Sequence, residues 1–332
     1  MDGITERCNL MDKPKVAFYW CASCGGCEEA VIDLNEDILK VVDAVDIIFW
    51  PVALDFKKKD VEAMPDGSIA VSFINGAIRL SEQEYMVKML RKKSGLVVAF
   101  GSCAHLGGIP GLSNFYNAKL SLERAYQLSP STDNPDNIFP SEETEINGST
   151  LELPKFYDTV KTLNQVIDVD YYLPGCSVPA DLIMNAITAI LEGKLPPKGS
   201  VLAPDKILCD TCKRNETKPE KMEVDEIKRP YEVMLDPEKC FLEQSVICLG
   251  PVTRSGCGER CIEANMPCRG CFGPTSKIRD QGAKLVSSLA SIFNTNEEEK
   301  IQKIVDSIVD PAGTFYRFSL PDSLLRRRKL EV

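Results

Sequence analysis

The chain has 332 residues, about two domains by ordinary length, and 44% of them are hydrophobic, enough for a sizeable buried core. Its net charge of −10 weighs against nucleic acid and acidic membrane surfaces as main partners, because both reward a basic balance. Fourteen cysteines are too sparse for the disulfide scaffold of a short secreted chain, and a single histidine excludes a histidine-rich metal site.

The first residues, MDGITERCNLMDKPK, carry acids at Asp2 and Glu6 and no apolar signal-peptide core, and no twin-arginine pair precedes an apolar stretch. No run approaches the roughly 18 apolar residues of a membrane span. The expectation is a cytoplasmic chain, where thiols stay reduced and clustered cysteines point to metal rather than disulfide. The first half then alternates strand and helix. Residues 16–20 read as a strand that stops at a Cys/Gly-rich loop, and 28–42 as a helix with Val31, Leu34, Ile38 and Val41 at helical spacing. Glu28 and Glu29 in its first turn suit the positive end of the helix dipole.

Strands follow at 46–50 and 68–74. Ser81 and Glu84 make a capping box for a helix that runs to Lys93 and is ended by Gly95, and 96–100 reads as a buried strand. This βαβ rhythm implies a parallel sheet covered by helices, with bound groups at the carboxyl ends of the strands. Residues 128–150, rich in Ser, Thr, Asn, Asp and Pro, read as a surface excursion. The last strand, 169–173, leads into Pro174-Gly175-Cys176 and a helix over 181–191 that ends at Gly193. After Leu195-Pro196-Pro197 the character changes, so the expected division is 1–195 and 196–332. Residues 209–271 hold eight cysteines and few long apolar runs, a composition that needs metal as a staple. A helix over 297–309 and a basic tail at 326–329, read as a solvated charge run, close the chain.

The cysteines fall into constellations. Cys21, Cys24 and Cys27, each separated by two residues, lie where a strand gives way to a helix. Thiolates are favoured at a helix N-terminus, and Gly25 and Gly26 let the backbone approach a large inorganic group. The spacing matches the start of the bacterial ferredoxin run but lacks its fourth cysteine and proline, so further ligands must come from elsewhere. Cys103 and Cys176 follow later strands, whose ends converge on one rim of a parallel sheet. Two of the first three cysteines with Cys103 and Cys176 make the four thiolates of a 4Fe-4S cube. Beyond them stand Cys209, Cys212, Cys240, Cys248, Cys257, Cys261, Cys268 and Cys271, two further sets of four. By spacing these are either two structural zinc sites or two more iron–sulfur clusters.

At this point the chain resembles the small subunits of nickel–iron hydrogenases over nearly its whole length. The family's C-x-G-C-x-E is similar to Cys24-Gly25-Gly26-Cys27-Glu28-Glu29, its G-[ST]-C-A-x-x-G-G-I-P to Gly101 through Pro110, and its P-G-C-P-P to Pro174-Gly175-Cys176-Ser177-Val178-Pro179. Further on, Cys248-Leu249-Gly250-Pro251 and Pro267-Cys268-Arg269-Gly270-Cys271 resemble its C-x-G-P and P-C-x-G-C. The resemblance implies a flavodoxin-like parallel-sheet domain followed by a mostly irregular and helical iron–sulfur domain. It implies Cys24, Cys27, Cys103 and Cys176 for a proximal cluster, and Cys257, Cys261, Cys268 and Cys271 for a medial one. The distal cluster falls to Cys209, Cys212, Cys240 and Cys248, and Glu29 takes the place of a glutamate associated with proton movement.

Many periplasmic members place histidine where Cys209 stands and have only three medial cysteines. Cysteine at 209 and at 261 therefore implies three 4Fe-4S clusters. It also implies likeness to the cytoplasmic, F420-non-reducing (methyl-viologen-reducing) type that works with heterodisulfide reductase. The implied partners are a large subunit carrying the nickel–iron site and an electron-accepting iron–sulfur subunit. Cys8 and Cys21 fall outside the scheme, Cys8 as an ordinary thiol and Cys21 as a buried apolar residue or a spare beside the cluster, and His105 reads as a hydrogen-bonded structural residue. Two other readings stand beside this one. A complex-I-like subunit shares the sheet domain but carries one cluster, and a zinc-stabilised interaction protein carries none.

Overall fold

The computed structural model describes residues 13–325. Its centre is a six-stranded parallel sheet, and the strands are runs of Val, Ile, Phe and Ala because both faces are covered. These strands are β1 (Lys15–Trp20), β2 (Asp46–Phe49), β3 (Ile69–Asn75), β4 (Ser94–Phe100), β5 (Tyr171–Leu173) and β6 (Ser200–Val201). Their spatial order is β2-β1-β3-β4-β5-β6, and the first five follow the flavodoxin-like order. Register is direct, with Phe18 opposite Phe73 and Phe73 opposite Val98. The strand period of two sorts the side chains: Val16, Phe18, Phe73, Val98 and Phe100 feed one core, and Ala17, Ile74, Val97 and Ala99 feed the other.

The first core is closed by α1 (Gly26–Ile32), α2 (Asp37–Ala44) and α5 (Ala180–Leu191), through Val31, Val41, Ile183 and Ile187. The second is closed by α3 (Ser81–Lys93), through Met86, Val87 and Leu90, and by α4 (Ser102–Leu106), through Ala104. Asp170, just before β5, ties the sheet edge together. Its carboxylate takes Arg91 from α3 and Lys198 from the approach to β6, each at 2.5 Å, and the Val97 amide of β4 at 2.8 Å.

Several local expectations are corrected. The single helix over 28–42 is two helices, because Asn35 adopts a left-handed backbone (φ 52°) in the turn between them. The helix over 81–93 is present, but its start is capped by Gln83, whose Oε1 accepts from the Arg79 and Leu80 amides. Ser81 instead accepts from the Lys155 amide, and Glu84 pairs with Lys88 at 2.5 Å and with Lys161 at 3.5 Å. Gly95 lies inside β4 rather than ending the helix. The strand at 171–173 is not the last of the sheet, since β6 pairs beside it. The excursion at 128–150 is exposed and includes one strand of a hairpin, Glu143–Ile146 with Ser149–Glu152.

The cysteine-rich segment contains more core than its composition suggests. Leu208, Phe241, Val246, Leu249 and Val252 are buried with Leu285 and Leu289 from α6 (Gln281–Ala290). That helix was not foreseen, although Asp280 caps it by accepting from the Ala283 amide and the two leucines stand four apart. A shorter α7 (Glu298–Asp306) lies within the helix foreseen at 297–309. Among the described residues no helix is long and apolar enough to cross a membrane. Cys8 and the tail at 326–329 lie outside the described residues.

Candidate metal centres

Three of the loops at the carboxyl edge of the sheet carry cysteine. The loop after β1 holds Cys24 and the first turn of α1 Cys27, α4 after β4 holds Cys103, and the loop after β5 holds Cys176. The Gly101 amide donates to the Leu173 carbonyl and the Ser102 amide to the Gly175 carbonyl, both at 2.8 Å, which locks two of these loops together. Cys103 lies within electrostatic reach of Cys176, Cys27 and Cys24. Burial, then those neighbouring sulfurs, pushes its pKa up to about 12. Burial likewise pushes Cys27 up to about 12, opposed by the Val178 N–H and reinforced by Cys176 and Cys24. Thiols this costly to ionise in company suit a cationic group that would offset the crowding.

Glycine is required where the backbone runs against the sulfurs. A Cβ on Gly101 (φ +85°) would stand 2.3 Å from Cys27 Sγ, and one on Gly108 (φ +58°) 2.4 Å from Cys103 Sγ. Cys21 is set apart. Its amide donates to the Asn75 carbonyl at 2.8 Å, and its thiol is buried with Ile74 and Ile78 in the core on the other face of the sheet. Burial, then the charge of Glu28, raises its pKa far above the thiol range.

Glu28 is a residue the motif did not single out. It is buried, with one carboxyl oxygen accepting from the Trp50 indole and the other from Asn75 Nδ2 at 2.9 Å. Asn75 Oδ1 in turn accepts from Ser23 at 2.6 Å, so a buried polar chain anchors the cysteine loop to the ends of β2 and β3. Burial raises the pKa of Glu28, opposed by its two donors. Glu29 is exposed on the first turn of α1. His105 is half-buried against the Tyr172 ring at 4.6 Å between centroids, and its Nδ1 has no partner among the described residues. Burial of the ring, then the nearby Arg254 charge, lowers its pKa to about 3.

In the second half, Cys209, Cys212, Cys240 and Cys248 line one cavity of about 330 Å³, walled by Leu208, Phe241 and Leu285. Cys209 lies in reach of the other three, and burial followed by those sulfurs raises its pKa. The remaining set also converges, since Cys271 lies in reach of Cys257 and Cys261, and Cys268 in reach of Cys271. Two contacts string the sets together. Cys271 accepts from the Cys176 amide, and Cys248 Sγ accepts from the Cys268 amide at 3.3 Å. The 257–271 set therefore stands between the other two.

Two buried polar side chains hold this half in place, and neither has a sequence signature. Arg214 donates to the Asp236 and Lys239 carbonyls at 3.0 Å and to Asn265 Oδ1 at 2.7 Å, and stacks on Phe241 at 4.1 Å. Gln281 donates to the Gly270 carbonyl and to Thr253 Oγ1, both at 3.1 Å, fixing the turn between Cys268 and Cys271.

Known proteins are similar to this chain along most of its length. The iron–sulfur subunit of the F420-non-reducing hydrogenase of Archaeoglobus profundus is 41% identical over 317 residues, covering 95% of this chain and 98% of its own. The corresponding F420-non-reducing hydrogenase protein of Methanothermobacter thermautotrophicus is 35% identical over 319 residues, covering 95% and 97%. The chain belongs to the small subunits of the F420-non-reducing hydrogenases. It is thus a component of an oxidoreductase, as the motifs implied. The family model for the NADH ubiquinone oxidoreductase 20 Kd subunit matches residues 24–190 of this small subunit, which lie within the span of the sheet. The [NiFeSe] hydrogenase of Desulfovibrio vulgaris Hildenborough shares the fold at 17% identity, with a TM-score of 0.51 over 79% of this chain and 94% of that one. The complex-I-like alternative is not favoured, because its match stops where the eight later cysteines begin, whereas the F420-non-reducing hydrogenase relatives continue through them.

Proposed function

We propose that the small subunit carries electrons from hydrogen oxidation, in single file, through three 4Fe-4S clusters. Cys24, Cys27, Cys103 and Cys176 would hold the proximal cluster, Cys257, Cys261, Cys268 and Cys271 the medial one, and Cys209, Cys212, Cys240 and Cys248 the distal one. The observation that carries this reading is the row itself: three converging sets of four cysteines, joined through Cys176 with Cys271 and Cys248 with Cys268. A bound cubane cluster takes up and releases one electron without making or breaking a bond to substrate. The chain's own part is to bury the sulfurs, donate N–H groups to them and exclude water. The Val178 and Ile109 amides do this around Cys27 and Cys103, and the Gly250 and Cys268 amides around Cys248.

The proposed division is a sheet domain that ends after β6 and a second domain built on the core from Leu208 onward. The proposed partners are a nickel–iron large subunit, facing the proximal set, and an electron-accepting iron–sulfur subunit of the heterodisulfide reductase type. Glu29, exposed beside Cys27, would pass protons at the first of these faces. The proposed location is the cytoplasm.

Anaerobic purification with metal and sulfide analysis tests the reading. About twelve irons per chain with matching sulfide are expected, together with a co-purifying large subunit bearing two C-x2-C pairs. About four irons would return the one-cluster reading, and zinc without sulfide would refute any electron path.

A further inference from the structure

One cleft outside the cysteine sets is framed by arginine. Arg229, Arg269 and Arg317 line a space of about 60 Å³ with Ile227, Ile247 and Ile308. It lies against both later sets of cysteines, since Ile247 precedes Cys248 and Arg269 follows Cys268. Nothing in the mechanism above uses it.

Among the described residues none of the three guanidinium groups has a carboxylate within ion-pair distance, while the neighbouring Lys228 is paired with Glu226 at 2.5 Å. Asp310 lines the cleft, but its Oδ1 accepts from the Gly313 amide at 2.8 Å to cap a helix. Arg317 spends only its Nε, on the Gly313 carbonyl at 3.0 Å. Three guanidinium groups gathered at one cleft, on a chain of net charge −10, present local positive charge to an approaching anion.

We propose that this cleft takes a carboxylate side chain of an acidic electron-accepting protein docking over the medial and distal cysteine sets. The inference rests on the electron-transfer reading and deepens it by stating the partner's chemistry. The size argues for a side chain rather than a free cofactor, because sites for whole small molecules run to roughly 300–1,000 Å³. The isoleucines suit a methylene stem, and the guanidinium fork suits the carboxylate at its end.

The test uses the hydrogenase complex purified anaerobically and two probes of opposite charge: an acidic ferredoxin, and methyl viologen, a small dication with no carboxylate to dock. The readout is the ratio of hydrogen-driven ferredoxin to viologen reduction at limiting acceptor, with the ferredoxin Kd measured by fluorescence anisotropy. For the double variant Arg229→Gln/Arg317→Gln the ratio falls, and the Kd rises, about tenfold. A control with the same charge change far from the cleft, Lys119→Gln/Lys194→Gln, keeps both values, as those side chains are largely exposed. An unchanged ratio in the arginine variant, or an equal fall in the lysine control, overturns the docking proposal. A wild-type complex that reduces no viologen from hydrogen overturns the electron-transfer reading itself, and this proposal with it.

Discussion

Replacing Gly101 by alanine tests whether the cysteine edge of the sheet is built around its sulfurs. The new methyl would stand 2.3 Å from Cys27 Sγ, where ordinary contact is nearer 3.5–4 Å, so Cys27 or the turn must move by more than an ångström. The backbone at φ 85°, ψ 168° is one that only glycine adopts readily, at a cost of about 1–3 kcal/mol for another residue. Overpacking adds about 1–3 kcal/mol more. Together the loss is about 4 kcal/mol, a fall on the order of 10 °C in the melting midpoint of the sheet domain. Gly193→Ala is the matched control, with φ +65° and nothing within 4 Å of the added Cβ, so it has strain without the sulfur contact. Both variants are purified anaerobically and assayed for iron and for thermal unfolding. Gly101→Ala should lose about four irons per chain and Gly193→Ala none. Equal behaviour of the two in iron content and stability would refute the reasoning.

Two further outcomes follow from the same structure. In the folded chain Asp170 has a lowered pKa: burial would raise it, but Lys198, Arg91 and the Val97 amide together outweigh burial. A carboxyl lowered in this way contributes stability that is present above its unfolded pKa, about 3.9, and is lost as pH falls through the lower folded value. Asp170→Asn should therefore cost about 2–3 kcal/mol at pH 7, discounted for the largely exposed Lys198, and give a shallower loss of stability below pH 4 in melts across pH. Cys21→Ser should keep full iron and lose only about 1–2 kcal/mol for a hydroxyl placed in an apolar core, whereas Cys24→Ser should lose up to about four irons per chain. Greater iron loss from the Cys21 variant would reverse their assignment.

Much of the architecture was legible because its causes are local. The apolar runs of β1, β3 and β4, and the helices between them, carry their period in the chain, and the flavodoxin-like order follows from a parallel sheet covered on both faces. What the periodicity misjudged depends on single residues or on pairing at a distance. Asn35 breaks a helix that Val31, Leu34, Ile38 and Val41 would otherwise continue. The two-residue strand β6 exists only because β5 offers it an edge. The cysteine-rich half draws its core from α6, which begins ten residues after the last cysteine.

The candidate sites divide in the same way. The sequence by itself presented three candidate sets of four cysteines with one to spare among the first three, since spacing and flanking glycines are properties of the chain. The family motifs implied the order of the sets, and what only the tertiary structure adds is contact between neighbours, because the Cys271 and Cys248 sulfurs meet the Cys176 and Cys268 amides through folding alone. It alone decided that Cys21 points into the opposite core, and that Glu28 rather than Glu29 is the buried carboxyl of the first loop. Burial is set by what packs on a residue from elsewhere in the chain, and here the packing comes from Trp50 and Asn75, at the ends of two other strands.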